Sequence, residues 1–281
     1  MSNMTFENLK EIEQQVINAV SSMLDRIKEV DFQSFILLLA RGDYFDFYER
    51  EDIVLSPYVI EDIRDLYVDS SRQRFFVKYL NDYIEKLHNG RVNEISSIEY
   101  DMHIQMMIYT HIWESHLFLK RLLRIANILS NNGYKWKVEI PLMGKGKLIK
   151  TIINKLIDLY PILGTMLQAS YSNDLRNDFA HSSYYIDLDR GQIYSHFGGL
   201  FKELKSIEEW EHMFITSIML SYHLNDVLNK IKSSFPIQYG FGPFEIPIST
   251  KKSPQKQRIV NIIIDKELYF LKDCVRFLFL Q

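Results

Sequence analysis

Apolar residues recur at three- and four-residue steps along much of this 281-residue chain, the spacing that places them on one face of an α-helix. The same spacing over residues 104–130 and 206–231 predicts two further long helices. The sequence therefore predicts a mainly α fold. No apolar run approaches the roughly 18–20 residues that a bilayer-spanning helix needs. The first of the three predicted long helices lies near the start of the chain, where the apolar spacing is shown by Leu9, Ile12, Val16, Ile17, Val20, Met23, Leu24 and Ile27.

Capping residues divide the rest of the chain. Asp31 is placed to cap a helix that runs to residue 40. Ser56 and the proline after it are typical of a helix start, which predicts a helix to residue 68. A separate helix is predicted over residues 75–87, ending near Asn89 and Gly90. Pro161 is expected to begin or kink a helix that ends near His181.

Three patterns describe the last hundred residues. Aromatic and β-branched runs on both sides of Asp-Arg-Gly predict a β-hairpin over residues 184–196. Ser206 and Glu209 form a capping-box pattern before the last long helix. Glycine and proline predict a linker over residues 236–254, followed by a strand at 259–264 and a short helix.

Composition narrows the class of protein. Hydrophobic residues make up 47% and charged residues 25%, the balance of a globular protein with enough apolar surface to fold. Cys274 is the single cysteine, so the chain has no internal disulfide and no cysteine-built metal site. With no basic-then-apolar signal sequence at the start, we expect a cytoplasmic protein.

The charge is unevenly distributed along the chain. Residues 1–100 carry 11 basic and 19 acidic side chains, a net of −8, and residues 101–281 carry a net of +5. Nine basic residues and one acid fall in residues 120–155, which is compatible with phosphate binding or with a solvated helical face. We expect an acidic N-terminal region (1–100), a helical bundle (101–235) and a linker with a tail (236–281).

The strongest chemical motif is formed by Arg176, Asn177 and His181. The forked N–H groups of arginine match a phosphate, and histidine exchanges a proton near neutral pH. Asn177 shares a helix face with His181, whereas Arg176 must reach it by its length or by irregular helix geometry. These groups suit cleavage of RNA, in which a base takes the proton of the ribose 2′-hydroxyl. The alternative is a helix end where His181 meets the helix dipole.

This Arg-Asn-x-x-x-His motif resembles the signature of HEPN domains, the "higher eukaryotes and prokaryotes nucleotide-binding" superfamily. A helix upstream carries an acid, Glu114, as many HEPN-like proteins do, and the hairpin after His181 is similar to those of bacterial members. The resemblance covers residues 101–235 and implies an up-and-down helical bundle. It implies a homodimer with both motifs in one cleft, and a metal-independent endoribonuclease of toxin–antitoxin, abortive-infection or CRISPR-linked defence. The implied partners are RNA and an inhibitor or antitoxin protein, with no cofactor, metal or membrane.

Glu114 is the only carboxylate within residues 102–138. Because an unpaired charge on an apolar, basic helix is costly, we predict that Glu114 pairs with Arg176 and orients it. Glu114 could instead be exposed, or bond His111 or Lys120 locally.

The remaining residues complete the predicted site. Tyr184 and Tyr185 are expected to line the cleft and stack on bases, and Lys120 is expected to bind substrate. The Gly144–Lys147 stretch lacks the spacing of a P-loop and is predicted to lie in a loop, residues 134–146. We interpret this stretch as a mobile loop; the alternative is that it adds positive charge beside the cleft.

Two other functions are compatible with the sequence. The same cleft could bind a nucleotide or RNA without cleaving it, with the acidic N-terminal region recruiting a partner. The motif could also serve only the packing of the bundle.

Overall fold

The computed structural model describes residues 4–44, 58–60, 63–89, 95–196, 202–250, 253–272 and 274–280. Within these residues the protein is mainly helical, as the apolar spacing predicts, and its strands form three small antiparallel sheets. None of the helices in this part of the chain combines the length and apolar character needed to cross a membrane.

The helices are α1 (Phe6–Val30), α2 (Phe32–Ala40), α3 (Ile63–His88), α4 (Ile95–Glu114), α5 (His116–Leu129), α6 (Lys145–Leu159), α7 (Pro161–Ser170), α8 (Asn173–Ala180), α9 (Ile207–Tyr239) and α10 (Lys266–Lys272). The strands are β1 (Asp43–Tyr44), β2 (Tyr58–Val59), β3 (Tyr184–Asp187), β4 (Gln192–Ser195), β5 (Lys202–Ser206), β6 (Phe244–Thr250), β7 (Ser253–Ile264) and β8 (Phe277–Leu280).

The chain forms two compact units. The first comprises Met1–Met23, Asp65–Leu122 and Ile140–Leu224, and the second comprises Leu24–Arg64, Leu123–Glu139 and Asn225–Gln281. The three regions expected from composition, residues 1–100, 101–235 and 236–281, stay a prediction.

The predicted cap between the first two helices is confirmed. Asp31 Oδ1 accepts a hydrogen bond of 2.9 Å from the Ser34 amide, which satisfies one of the free N–H groups at the start of α2. Helix α2 ends at Arg41, which has the left-handed φ of 55°.

Helix α3 lies where the sequence predicts two separate helices. Residues 63–88 form one continuous helix, where the sequence predicts a helix from Ser56 to residue 68 and another over residues 75–87. Neither glycine nor proline interrupts the polar stretch at residues 69–74, so nothing stops the helix there. Ser56 and the proline after it lie outside the described residues.

The hairpin and the capping box are confirmed. Strands β3 and β4 pair with Ile186 opposite Ile193, and β5, which the sequence analysis missed, adds a third strand. Ser206 Oγ accepts the Glu209 amide N–H at 3.1 Å, and Glu209 Oε2 accepts the Ser206 amide N–H at 3.0 Å. This reciprocal pair fixes the start of α9.

The predicted linker over residues 236–254 is wrong. Helix α9 continues through Pro236 to Tyr239, and β6 then pairs with β7, with Ile246 opposite Val260. Ile246, Ile262 and Ile264 are buried, so the β-branched residues of this segment determine its structure. The expected strand at residues 259–264 lies inside β7 and the expected short helix is α10, while β8 was missed.

An aromatic cluster forms the centre of the first unit. Trp210 of α9 lies 5.1 Å from Tyr109 of α4 and 5.0 Å from Phe179 of α8, measured between ring centroids. The buried Trp210 Nε1 donates a 2.9 Å hydrogen bond to Gln105. These contacts fix α4 and α8 against α9, and the candidate site lies on α4 and α8.

Candidate functional site

Glu114 is the last residue of α4. The predicted continuous helix over residues 104–130 is broken at Ser115, whose Oγ accepts the Phe118 amide N–H at 3.1 Å and so caps the start of α5. The break places a carboxylate at the negative end of the α4 dipole, an unfavourable position unless cations lie nearby.

Arg176 and Asn177 lie on the short helix α8. The predicted helix from Pro161 to His181 is two helices, because Tyr171 and Ser172 adopt extended geometry between them. Ser172 Oγ accepts the Leu175 amide N–H at 3.3 Å, and the Ser172 amide donates to the Tyr109 hydroxyl at 2.8 Å.

The predicted Glu114–Arg176 pair is confirmed. Arg176 Nη1 donates to Glu114 Oε1 at 2.7 Å, and Arg176 Nη2 donates to Asn177 Oδ1 at 2.7 Å. The Arg176 side chain is 11% exposed. Its Nε is buried and has no hydrogen-bond partner among the described residues. The guanidinium is therefore held in one orientation by two charge-assisted hydrogen bonds.

Lys145 is a member of the site that the sequence analysis missed. Its Nζ donates to Glu114 Oε2, and its side chain is 9% exposed. Lys145 is the first residue of α6, so the predicted loop over residues 134–146 ends two residues early. Glu114 thus stands between two cations, and the three side chains together carry one net positive charge.

A close contact joins the start of α6 to α8. A Cβ built on Gly146 would lie 2.0 Å from Asn173 Oδ1, so glycine allows this approach. The Tyr171 hydroxyl donates to the same Asn173 oxygen at 3.2 Å. Burial is the main reason that the pKa of Tyr171 is raised to about 12; Arg176 opposes this rise, and Glu114 adds to it.

His181 lies at the end of α8 with its side chain exposed to solvent. Its backbone N–H donates to the Asn177 carbonyl at 3.0 Å. The described side-chain contacts of Arg176 are with Glu114 and Asn177, so an approach of Arg176 to His181 stays a prediction.

The predicted substrate-binding residues lie in different environments. The Tyr184 hydroxyl is 2.6 Å from His103 Nδ1, its ring packs 5.0 Å from Phe179, and burial raises its pKa. Tyr185 is 53% exposed. Lys120 is half-buried on α5.

The site presents a fixed guanidinium on the same short helix that ends at the exposed His181. No group of three or more His, Cys, Asp or Glu side chains that could hold a metal ion occurs in the described part of the chain. No family model, curated protein or solved structure gives a significant match to this chain.

Proposed function

We propose that this protein is an endoribonuclease of the HEPN type that cleaves RNA by internal attack of a ribose 2′-hydroxyl. The observation that carries the proposal is the fixed guanidinium of Arg176, held by Glu114 and Asn177 on a helix that ends at the exposed His181. A permanent cation in a fixed orientation beside an ionisable group is what phosphodiester cleavage requires.

Arg176 retains hydrogen-bonding capacity for a phosphate. A guanidinium has five N–H donors, and the contacts with Glu114 and Asn177 use two of them, one on each Nη. The remaining Nη N–H groups are the donors that we assign to a phosphate oxygen. They would stabilise the negative charge that grows on that oxygen in the transition state.

His181 supplies the proton transfer in this scheme. Acting as a base, it removes the 2′-hydroxyl proton, and the 2′-oxygen attacks phosphorus. The bond to the 5′-oxygen breaks, and that oxygen takes a proton from an acid, which we assign to the second copy of the motif in a homodimer. The products are a 2′,3′-cyclic phosphate and a 5′-hydroxyl. DNA, which has no 2′-hydroxyl, is not cleaved.

The other residues have supporting roles. Glu114 is a positioning residue that orients Arg176. Tyr185 offers an exposed ring on which a base can stack, and Tyr184 borders it in β3. Lys120 adds positive charge on α5 for the RNA backbone. A toxin or defence role in the cytoplasm, with an inhibitor or antitoxin protein as partner, belongs to the same proposal.

The test is cleavage of a mixed RNA pool in EDTA by the wild type and by His181→Ala, with the product ends mapped. We expect 2′,3′-cyclic phosphate ends from the wild type and a loss of cleavage of at least a hundredfold in the variant, within the range for a general base. His212→Ala, which removes an exposed histidine of α9 outside the motif, is the matched control and keeps full activity.

A second variant separates cleavage from binding. If no protein cleaves RNA but the wild type binds it and Arg176→Ala does not, the site is a binding module. If His181→Ala cleaves as well as the wild type, the proposed catalytic roles are wrong.

A further inference from the structure

A pocket of about 380 Å³ opens within the second unit, and none of its lining residues belongs to the proposed active site. Its volume lies in the range of small-molecule binding sites, roughly 300–1,000 Å³. Its lining combines aromatic and polar side chains. The aromatic side chains are those of Tyr44, Tyr58, Tyr134 and Trp136.

The aromatic rings meet at steep angles. Tyr58 stands at 74° to Tyr44 and at 82° to Trp136, with both pairs of ring centroids 5.1 Å apart. The pairing of β1 with β2 sets the first contact, because Tyr44 lies directly opposite Tyr58. Such a corner accepts a flat aromatic molecule, with its face on one ring and its edge against the next.

Contacts within the protein hold the residues that line the pocket in place. Arg124, whose side chain is 5% exposed, pairs with Asp43 of β1 at 2.9 Å and donates to the Lys135 and Trp136 carbonyls at 3.1 and 3.0 Å. A Cβ on Gly42 would lie 2.9 Å from the Trp136 ring, so the backbone packs directly on the indole. A buried ion pair with further hydrogen bonds to the backbone therefore holds the loop that carries Trp136 to the strand that carries Tyr44.

The polar residues of the lining offer both hydrogen-bond donors and acceptors. Among the described residues, neither the Trp136 indole N–H nor the Asn132 side-chain amide has a hydrogen-bond partner, although both residues line the pocket. Asp31 supplies a carboxylate, and Lys137, which pairs with Glu139 at 3.0 Å, supplies an ammonium group. Asp31 and Lys137 contribute one charge of each sign to the lining.

We propose that this pocket binds a nucleobase, carried either by a free nucleotide or by an RNA strand. A nucleobase is flat, neutral and edged with both donors and acceptors, which matches the perpendicular rings and the unpaired Asn132 and Trp136 groups. Lys137 lies at the pocket to attract the phosphate of the same nucleotide. The site shares no residue with the Arg176 cluster, so it stands apart from the proposed ribonuclease function.

The tryptophans of this chain provide a direct assay. Trp113 and Trp210 are 0% exposed in the first unit, whereas Trp136 is half-buried at the pocket. Quenching of tryptophan fluorescence by a ligand therefore reports mainly on Trp136. The full chain is titrated with each of AMP, GMP, CMP and UMP, with a short RNA and with choline, and each titration is repeated by calorimetry.

We expect saturable quenching by at least one nucleoside monophosphate, unchanged in His181→Ala. Tyr58→Ala, which removes one wall, weakens binding about tenfold or more. Asn132→Phe, at an exposed position on the mouth of the pocket, abolishes it without loss of the folded state. Tyr100→Ala, which removes a 66% exposed ring in the first unit, is the control and binds as the wild type does.

Three results would overturn the assignment. The first is the absence of a saturable signal by both fluorescence and calorimetry. The second is nucleotide binding that survives both Tyr58→Ala and Asn132→Phe. The third is saturation by choline alone, which would make the pocket a cation site. Binding of nucleotides without RNA identifies a free nucleotide as the ligand, and tighter binding of RNA identifies a base within a strand.

Discussion

Arg176 Nη1 lies 2.7 Å from Glu114 Oε1, a contact that joins residues 62 positions apart and ties the end of α4 to the middle of α8. Lys145 at the start of α6 donates to the other oxygen of the same carboxylate. One acid therefore connects three helices, and the orientation of Arg176 depends on it.

Replacing this acid should affect both stability and function. We expect Glu114→Gln to lower the free energy of unfolding by about 1–3 kcal/mol, the value of a hydrogen bond to a charged group. RNA cleavage should fall at least tenfold, since Arg176 loses its orientation. Urea unfolding and the cleavage assay measure the two effects. The control is Lys202→Gln, which breaks an exposed pair with Asp174 and should change the free energy of unfolding by no more than about 0.5 kcal/mol. An equal loss of stability in both variants would contradict the special position of Glu114.

Two neighbouring lysines should behave differently. Lys145 is buried against Glu114, whereas Lys147, two residues along α6, is exposed. We expect Lys145→Gln to cost about 1–3 kcal/mol of unfolding free energy, and Lys147→Gln to change it by no more than about 0.5 kcal/mol. Thermal unfolding of the two variants under identical conditions makes the comparison, and similar melting temperatures would show that the Lys145 contact contributes nothing.

Two helical glycines allow close approaches of different kinds. A Cβ on Gly164 would lie 2.3 Å from the Ile157 backbone nitrogen, whereas a Cβ on Gly146 would meet the end of the Asn173 side chain. Because backbone cannot turn away, we expect Gly164→Ala to cost about 3 kcal/mol or more, at the upper end for overpacking. Gly146→Ala should cost less, since Asn173 can rotate. The reverse order in denaturant unfolding would contradict these packing distances.

The capping box predicts a pH dependence. The Ser206 backbone N–H is the main reason that the pKa of Glu209 is lowered. A lowered pKa in the folded state means that the carboxylate stabilises the protein above the unfolded pKa of about 4.3, and that this stability is lost as the pH falls through the folded value.

The variant Glu209→Gln isolates that charge. At neutral pH we expect it to be less stable than the wild type by about 0.3–1 kcal/mol, the value of a charge at a helix N-terminus. The difference should vanish in acid, where Glu209 is protonated. Ser206→Ala, which removes the cap itself, should cost about 0.5–2 kcal/mol at neutral pH, and part of that cost should remain in acid because the Ser206 hydroxyl also accepts the Glu209 amide N–H. A Glu209→Gln difference that persists in acid would show that the effect is not electrostatic.

The sequence was sufficient to predict the Glu114–Arg176 pair because carboxylates are scarce around Glu114. A single carboxylate in 37 residues of apolar and basic sequence has few ways to be compensated. The same reasoning applied to Lys145 could have found it, since a lysine that opens an apolar helix needs a partner when it is buried. The glycines on either side of Lys145 indicated a loop instead.

Helix breaks that involve neither glycine nor proline could not be predicted from the sequence. Ser115 interrupts an apolar pattern that continues on both sides, and only the hydrogen bond from Phe118 reveals the cap. Strands β6 and β8 and the first half of β7 were missed for the opposite reason. Turn-forming residues at 240–243 and the prolines within β6 and β7 favoured the prediction of a linker. The pairing of β6 with β7 depends instead on contacts between the two strands, such as Ile246 opposite Val260.

The break at Ser115 also makes the site sensitive to helix length. Glu114 faces Arg176 because α4 stops one residue after Trp113, whose ring is completely buried. Each residue of an α-helix turns the next by about 100°. A single inserted residue between Trp113 and Glu114 would swing the carboxylate away from Arg176 while leaving every side chain of the cluster in the sequence. Related chains could therefore keep all the residues of the motif and still lose its geometry through one change in spacing.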